Sequence, residues 1–269
     1  MKTPETSSYY GLIIFLVAAC ISISVIVVVR ILIKRQIQQR IADKSNMYQL
    51  VVDDLLSRLI FKQLTMEEGL QYFRSMKREN LLSKITTQSI IALHQNYTGE
   101  QREILENFFV LSELTDYSFK KIKSKKASDI LSGIRFLSIL NVREAFEFLK
   151  LQLDHPNDQV KKAAFVGLIS LEGMEGLEKI NLPELVIDDA VQDRILDQLK
   201  NKRFTSFAGV HHLLYSENGS LVILGARITE QFQLYAYYEY IQTFSKKLQP
   251  KYEAELEAIR GRISQCSNL

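Results

Sequence analysis

The chain has 269 residues, of which 46% are hydrophobic and 24% charged, and a formal net charge of +3. That length holds one large domain or two small ones, and so small a charge does not mark a nucleic-acid binder. Eleven glycines and four prolines are few for a β-sandwich or a Gly/Pro-rich disordered chain, so an all-α body is the simplest reading.

Residues 1–8 read as a short extracytoplasmic tail and residues 9–33 as a single transmembrane helix. Gly11 to Val29 carries no charge over roughly nineteen residues, long enough at about 1.5 Å per residue to cross a hydrocarbon core of about 30 Å. Tyr9 and Tyr10 stand where an aromatic belt holds one interface, and Arg30, Lys34 and Arg35 where snorkelling cations hold the other. Lys2 is the tail's one cation, against Arg30, Lys34, Arg35, Arg40 and Lys44 after the run. The positive-inside rule then places the body on the cytoplasmic side of an inner membrane. A cleavable signal peptide needs a basic start and a shorter apolar core. Val17-Ala18-Ala19-Cys20 has the look of a lipobox, but the residues after Cys20 stay apolar, unlike the polar start of a mature lipoprotein. Cys20 and Cys266 lie at opposite ends of the chain, so no disulfide is expected and the body suits a reducing compartment.

Residues 34–62 read as a basic juxtamembrane helix that leads into the body through Leu50, Val51, Leu55, Leu56, Leu59 and Ile60. Residues 63–126 read as the N-terminal helices of that body. Thr65 with Glu68 forms a capping box that opens a helix carrying Leu70, Tyr72, Phe73 and Met76. Leu81 to Gln95 and Glu100 to Leu114 follow as helices, with a turn over Asn96 to Gly99. The run from Lys120 to Lys126 is the most basic local feature; it suits anionic headgroups or an acidic partner, or simply a solvated helix end.

Residues 127–250 hold the clearest self-similarity. Shifted by about 31 residues, Gly133 falls on Ala164, Leu137 on Leu168, Leu140 on Leu171, Phe146 on Leu177 and Leu149 on Ile180. Such a period suits helix pairs that need their neighbours to bury a face. Val142 to Asp154 is the first helix of one pair. Pro156 ends it, and Asn157 caps the next, in which Val160, Ala164, Leu168 and Leu171 recur at helical spacing while Ala163 and Gly167 keep one side thin. Glu184 to Lys200 gives a further helix, and Phe204 to Tyr215 with Ser220 to Gln233 another pair, turned at Asn218-Gly219. Residues 251–269 read as a charged capping helix and tail.

The stretch Asp154 to Gly173, DHPNDQVKKAAFVGLISLEG, resembles the second helix of a HEAT repeat, whose pattern runs aspartate, valine, basic residue, paired alanines and spaced leucines. Together with Gly133 to Leu137, Asn181-Leu182-Pro183 and Ser216 to Leu221, it looks like bacterial, single-span HEAT-repeat proteins over Gln95 to Gln233. The chain departs from the pattern with Lys161 and Lys162 in place of the usual arginine, and its last repeat lacks the paired alanines. The resemblance implies an armadillo-like α-solenoid. It also implies a class of function, since HEAT arrays bind other macromolecules, here as accessories of envelope or exopolysaccharide machinery.

No catalytic, cofactor-binding or metal-ligating residue is expected. His211-His212 is the one histidine pair, and adjacent helical residues point about 100° apart, which disfavours a shared metal. His94 and His155 are isolated. Asp53-Asp54 and Asp188-Asp189 lack a partner for acid–base work, and phosphate loops and nucleophile elbows are missing. Asn96-Tyr97-Thr98 and Asn218-Gly219-Ser220 match the glycosylation sequon but serve as turns. Among the tyrosines from Tyr235 to Tyr240, Tyr237 and Tyr240 are expected to face the core with Ile241.

The leading functional expectation is a membrane-tethered scaffold or adaptor that binds a protein partner, a membrane enzyme or a signalling protein, with no cofactor and no nucleic acid. A regulatory or sensor subunit of a transporter or kinase would use the same surface. A HEAT-like DNA glycosylase is the enzyme alternative. That family relies on tryptophans and an aspartate around the damaged base, and this chain has no tryptophan.

Overall fold

The computed structural model describes the backbone of residues 5–76, 79–180, 185–202, 206–244 and 248–266, with side chains described from residue 21 to residue 265 within those ranges. Its regular elements are all helical, with no strand among the described residues. The chain divides into two compact units, Met1–Ser57 and Arg58–Leu269.

The first unit is formed by helix α1 (Glu5–Ile60), whose last turns pass into the second. From Ile21 to Ile33 its described apolar side chains are exposed, whereas Val52, Leu55 and Leu56 near its end are buried. Among the described residues, no helix is long and apolar enough to cross a membrane. That corrects the expected transmembrane helix over 9–33. It also removes the basis for the single-pass, inner-membrane localisation with a cytoplasmic body. The physical reason is charge. The described apolar run ends at Arg30, with Lys34 and Arg35 one further turn along the same helix. A stretch of spanning length from Ile21 onward therefore includes three cations, each costly in hydrocarbon. Residues 9–20 of the expected span, and the whole 1–8 tail, lie outside the residues whose side chains are described.

The second unit opens with α2 (Met66–Ser75), where the expected capping box is present: the Thr65 backbone N–H donates to Glu68, and Thr65 Oγ1 accepts from the Glu68 N–H. Helices α3 (Asn80–Asn96), α4 (Glu100–Leu111) and α5 (Leu114–Ile122) follow. Gly99, at φ +62°, provides the break before α4, and Glu113 reverses the chain from a left-handed conformation before α5. Phe73 and Phe108 meet edge-on at 5.7 Å in the core between α2 and α4.

From α6 (Ala127–Ile139) onward the helices recur regularly. A short α7 (Phe146–Leu151) precedes α8 (Asp158–Glu172), and α9 (Asp189–Lys202) comes next. Then α10 (Val210–Leu214) pairs with α11 (Gly219–Gln231), and α12 (Tyr238–Thr243) with α13 (Pro250–Cys266). The first residues of α6, α8, α9, α11 and α13 are Ala127, Asp158, Asp189, Gly219 and Pro250, at steps of 31, 31, 30 and 31 residues. Helix α6 packs on α8, α8 on α9, and α11 on α13. Hydrogen bonds repeat at nearly the same step: Ser170 Oγ donates to the Ser138 carbonyl, Lys202 Nζ to the Ser170 carbonyl, and Arg262 to Glu230, each pair 32 residues apart. Both members of all five residue pairs matched in the sequence, from Gly133/Ala164 to Leu149/Ile180, are buried. This repeat-like, all-helical arrangement is compatible with an α-solenoid.

The first helices of the pairs are less regular than their periodicity suggested. The expected Val142–Asp154 helix is α7 flanked by 3-10 turns over Arg143–Ala145 and Gln152–Asp154. The segment after α8 is a 3-10 stretch, Gly173–Lys179. The helix expected from Glu184 begins at Asp189, and the one expected from Phe204 at Val210. Asn181-Leu182-Pro183, Glu184 and Phe204 lie outside the described residues.

Candidate partner-binding cleft

The row of second helices carries a cleft of about 580 Å³ between α6, α8 and α9, with Gln95 of α3 at its edge. Its floor is apolar, built from Ile134, Val166 and Gly167. Ala163 and Gly167, one turn apart on α8, make the thin side that the sequence showed. A Cβ at Gly167 would lie 2.6 Å from both Leu149 Cδ2 and Ser138 Oγ, so the bare Cα is what allows α6 and α7 to close on α8 here.

Two arginines, Arg135 of α6 and Arg194 of α9, stand exposed at the rim. The walls contain two buried polar atoms with no hydrogen-bond partner, Ser138 Oγ and Gln198 Oε1. An unpartnered buried acceptor costs about 1–3 kcal/mol, and that cost is recovered when a donor reaches it. The cleft therefore holds an unpartnered hydroxyl and an unpartnered amide oxygen inside, both able to accept, and cations outside. That combination fits a chain presenting backbone N–H groups and carboxylates.

The residues weighed in the sequence scatter elsewhere. His94 is buried, with Nε2 2.7 Å from Glu106, and His155 Nδ1 accepts from the Asn157 N–H ahead of α8. Asn157 accepts from Gln159 N–H and caps α8 as expected. Asp188 caps α9 through the Val191 N–H and pairs with Lys162 at 2.5 Å. The hydrogen bond from Lys162, aided by that from Val191, holds the Asp188 carboxyl below the usual carboxylate range. Asp189 faces Arg227 at 3.7 Å, and Asp53 accepts from Gln49.

The basic run is partly absorbed. Lys121 bonds Asp129 at 2.7 Å, and Lys123 lies over Phe148 at 5.1 Å, leaving Lys120, Lys125 and Lys126 exposed. In the tyrosine segment, Tyr238 and Ile241 are buried. Tyr237 and Tyr240 are half-buried, the latter donating to the Leu214 carbonyl. The phase shifts by one residue because Tyr235–Tyr237 is a 3-10 turn. His211 and His212, expected to diverge, have ring centroids 4.1 Å apart, with Glu178 beside them.

Sequence reasoning singled out neither Arg194 nor Gln198. On its own helix each is an ordinary surface residue, and only the stacking of α9 on α8 carries it to Arg135 and Ser138. No protein-family model matches this chain, and no curated protein matches it.

Proposed function

We propose that the second unit is a HEAT-like helical-repeat adaptor that binds an extended, acidic segment of a partner protein in the cleft between α6, α8 and α9. The observation that carries this reading is the pair of orphaned acceptors, Ser138 Oγ and Gln198 Oε1, below the exposed Arg135 and Arg194. A peptide backbone supplies the missing N–H donors, and carboxylates on the same segment pair with the guanidiniums. Repeat stacking supports the reading by holding α6 and α9 against α8, so the site needs little ordering when it is filled.

A photo-crosslinker placed at Gln95, on the cleft edge, tests it in cells against the same probe at the exposed Leu151. The expected result is a discrete protein adduct from position 95 that disappears when Arg135 and Arg194 are both changed to Glu. Identical adducts from positions 95 and 151, or an adduct from position 95 that survives the charge reversal, would overturn the reading.

A further inference from the structure

Among the described residues, Glu178, His211 and His212 bring one carboxylate oxygen and two imidazole nitrogens to within 4.8 Å of one another. Glu178 is exposed and both histidines are half-buried. Ligands at about 2.0–2.2 Å around a tetrahedral divalent ion are separated by about 3.4 Å, so closure on an ion takes about an ångström of side-chain movement.

Three further observations indicate that the group is built rather than accidental. A carbonyl only accepts hydrogen bonds, so the His211 Nδ1 that faces the Ala208 carbonyl carries the proton, and Nε2 keeps its lone pair for a ligand bond. This is the outer contact that orients metal-binding histidines. Gly209 seats α10 directly on the 3-10 stretch Gly173–Lys179, which carries Glu178. A Cβ at that position would stand 1.8 Å from the Met174 carbonyl oxygen, so only glycine permits the approach. Finally, Lys179, the cation adjacent to Glu178, is paired with Glu172, which leaves the Glu178 carboxylate uncontested by its neighbour.

We propose that Glu178, His211 and His212 form a binding site for a divalent transition-metal ion of the zinc class. Two neutral imidazoles and one carboxylate suit such an ion and leave its fourth position to water. The ion ties the segment after α8 to α10, two elements that meet at the Gly209–Met174 backbone approach. Adjacent Cβ directions on a helix diverge by about 100°, but rotation about χ1 and χ2 brings the His211 and His212 rings to 4.1 Å of each other. The site is independent of the cleft, so failure of one proposal leaves the other standing.

The test uses the full chain in a Cys20→Ser/Cys266→Ser background, which removes thiol ligands. Zn²⁺ binding is measured by equilibrium dialysis with elemental analysis, and Co²⁺ is titrated for visible ligand-field bands. The expected result is one ion per chain, a rise in the unfolding midpoint with Zn²⁺, and Co²⁺ bands of a nitrogen- and oxygen-bound ion. Affinity should fall at least about tenfold in His211→Ala and in His212→Ala. Glu178→Gln, on an exposed side chain, keeps the test valid if a histidine variant fails to fold, and it too should weaken binding. Unchanged stoichiometry and affinity in Glu178→Gln and in the foldable histidine variants would overturn the proposal. So would the lack of saturable Zn²⁺ binding in the parent.

Discussion

Lys202 closes the last turn of α9 with its ammonium donating to the Ser170 carbonyl. Burial lowers its pKa from the ordinary 10.5 to about 8. Glu106 works against that shift, while Arg102 and Arg143 add to it. The folded state therefore holds this proton less tightly than the unfolded chain does. At roughly 1.36 kcal/mol for each tenfold change in proton affinity, the charged lysine costs the fold about 3 kcal/mol at neutral pH. Below pH 8 both states are protonated and the full cost is present. Between pH 8 and 10.5 the folded chain loses the proton while the unfolded chain keeps it, so stability rises with pH across that window. Lys202→Met removes the buried charge and keeps the length of the stem. Urea unfolding followed by far-ultraviolet circular dichroism at pH 7, 8, 9 and 10 should show the natural chain gaining on the variant by about 2–3 kcal/mol. At pH 7 the variant should equal or exceed the natural chain, despite losing one hydrogen bond of about 1 kcal/mol. Parallel stability profiles for the two chains would refute the account of a costly buried ammonium.

Three further substitutions test the helical framework. Gly133→Ala should destabilise the second unit by about 1–3 kcal/mol in the same urea assay. The new Cβ would lie 2.8 Å from the Ser118 carbonyl oxygen and 2.9 Å from the Ile122 nitrogen, backbone atoms of α5 that can yield only if the helices part. Asp188→Ala removes the α9 cap and should cost about 1 kcal/mol near neutral pH. Because Asp188 is held below the usual carboxylate range by Lys162 and the Val191 N–H, its contribution is complete above that range. The difference between the two chains should therefore shrink as pH falls through its depressed pKa. Thr65→Ala breaks the capping box and should cost about 1 kcal/mol, read as faster amide exchange confined to the first turns of α2.

Much of the fold was legible along the chain because its signals are local. Capping geometry depends on residues two or three apart, so Thr65/Glu68 and Asn157 marked helix starts within a residue or so, whereas Asn218, read as part of a turn, is the cap of α11. The 31-residue period was visible because each pair buries the same face against the next. The same step recurs in the starts of α9, α11 and α13. Local patterning misled where a neighbouring turn resets the helical phase, as at Tyr235–Tyr237, and where Arg30, Lys34 and Arg35 were read as anchors at the end of a span, although no described helix is long and apolar enough to cross a membrane.

What only the tertiary structure decided is which residues meet across repeats. Arg135 and Arg194 lie 59 positions apart, and Glu178 lies more than thirty positions before His211 and His212. No periodicity in one helix brings such residues together. The stacking of α6, α8 and α9 forms the cleft, and the approach of Gly209 to the Met174 carbonyl forms the His–His–Glu cluster. The sequence by itself determined the helical class, the capped helix starts at Thr65 and Asn157 and the buried faces of α6 and α8, because those depend on neighbours within a turn or two. The chemistry at the surface was decided by packing between distant segments, where a missing Cβ at Gly167 or Gly209 sets the distance at which side chains meet.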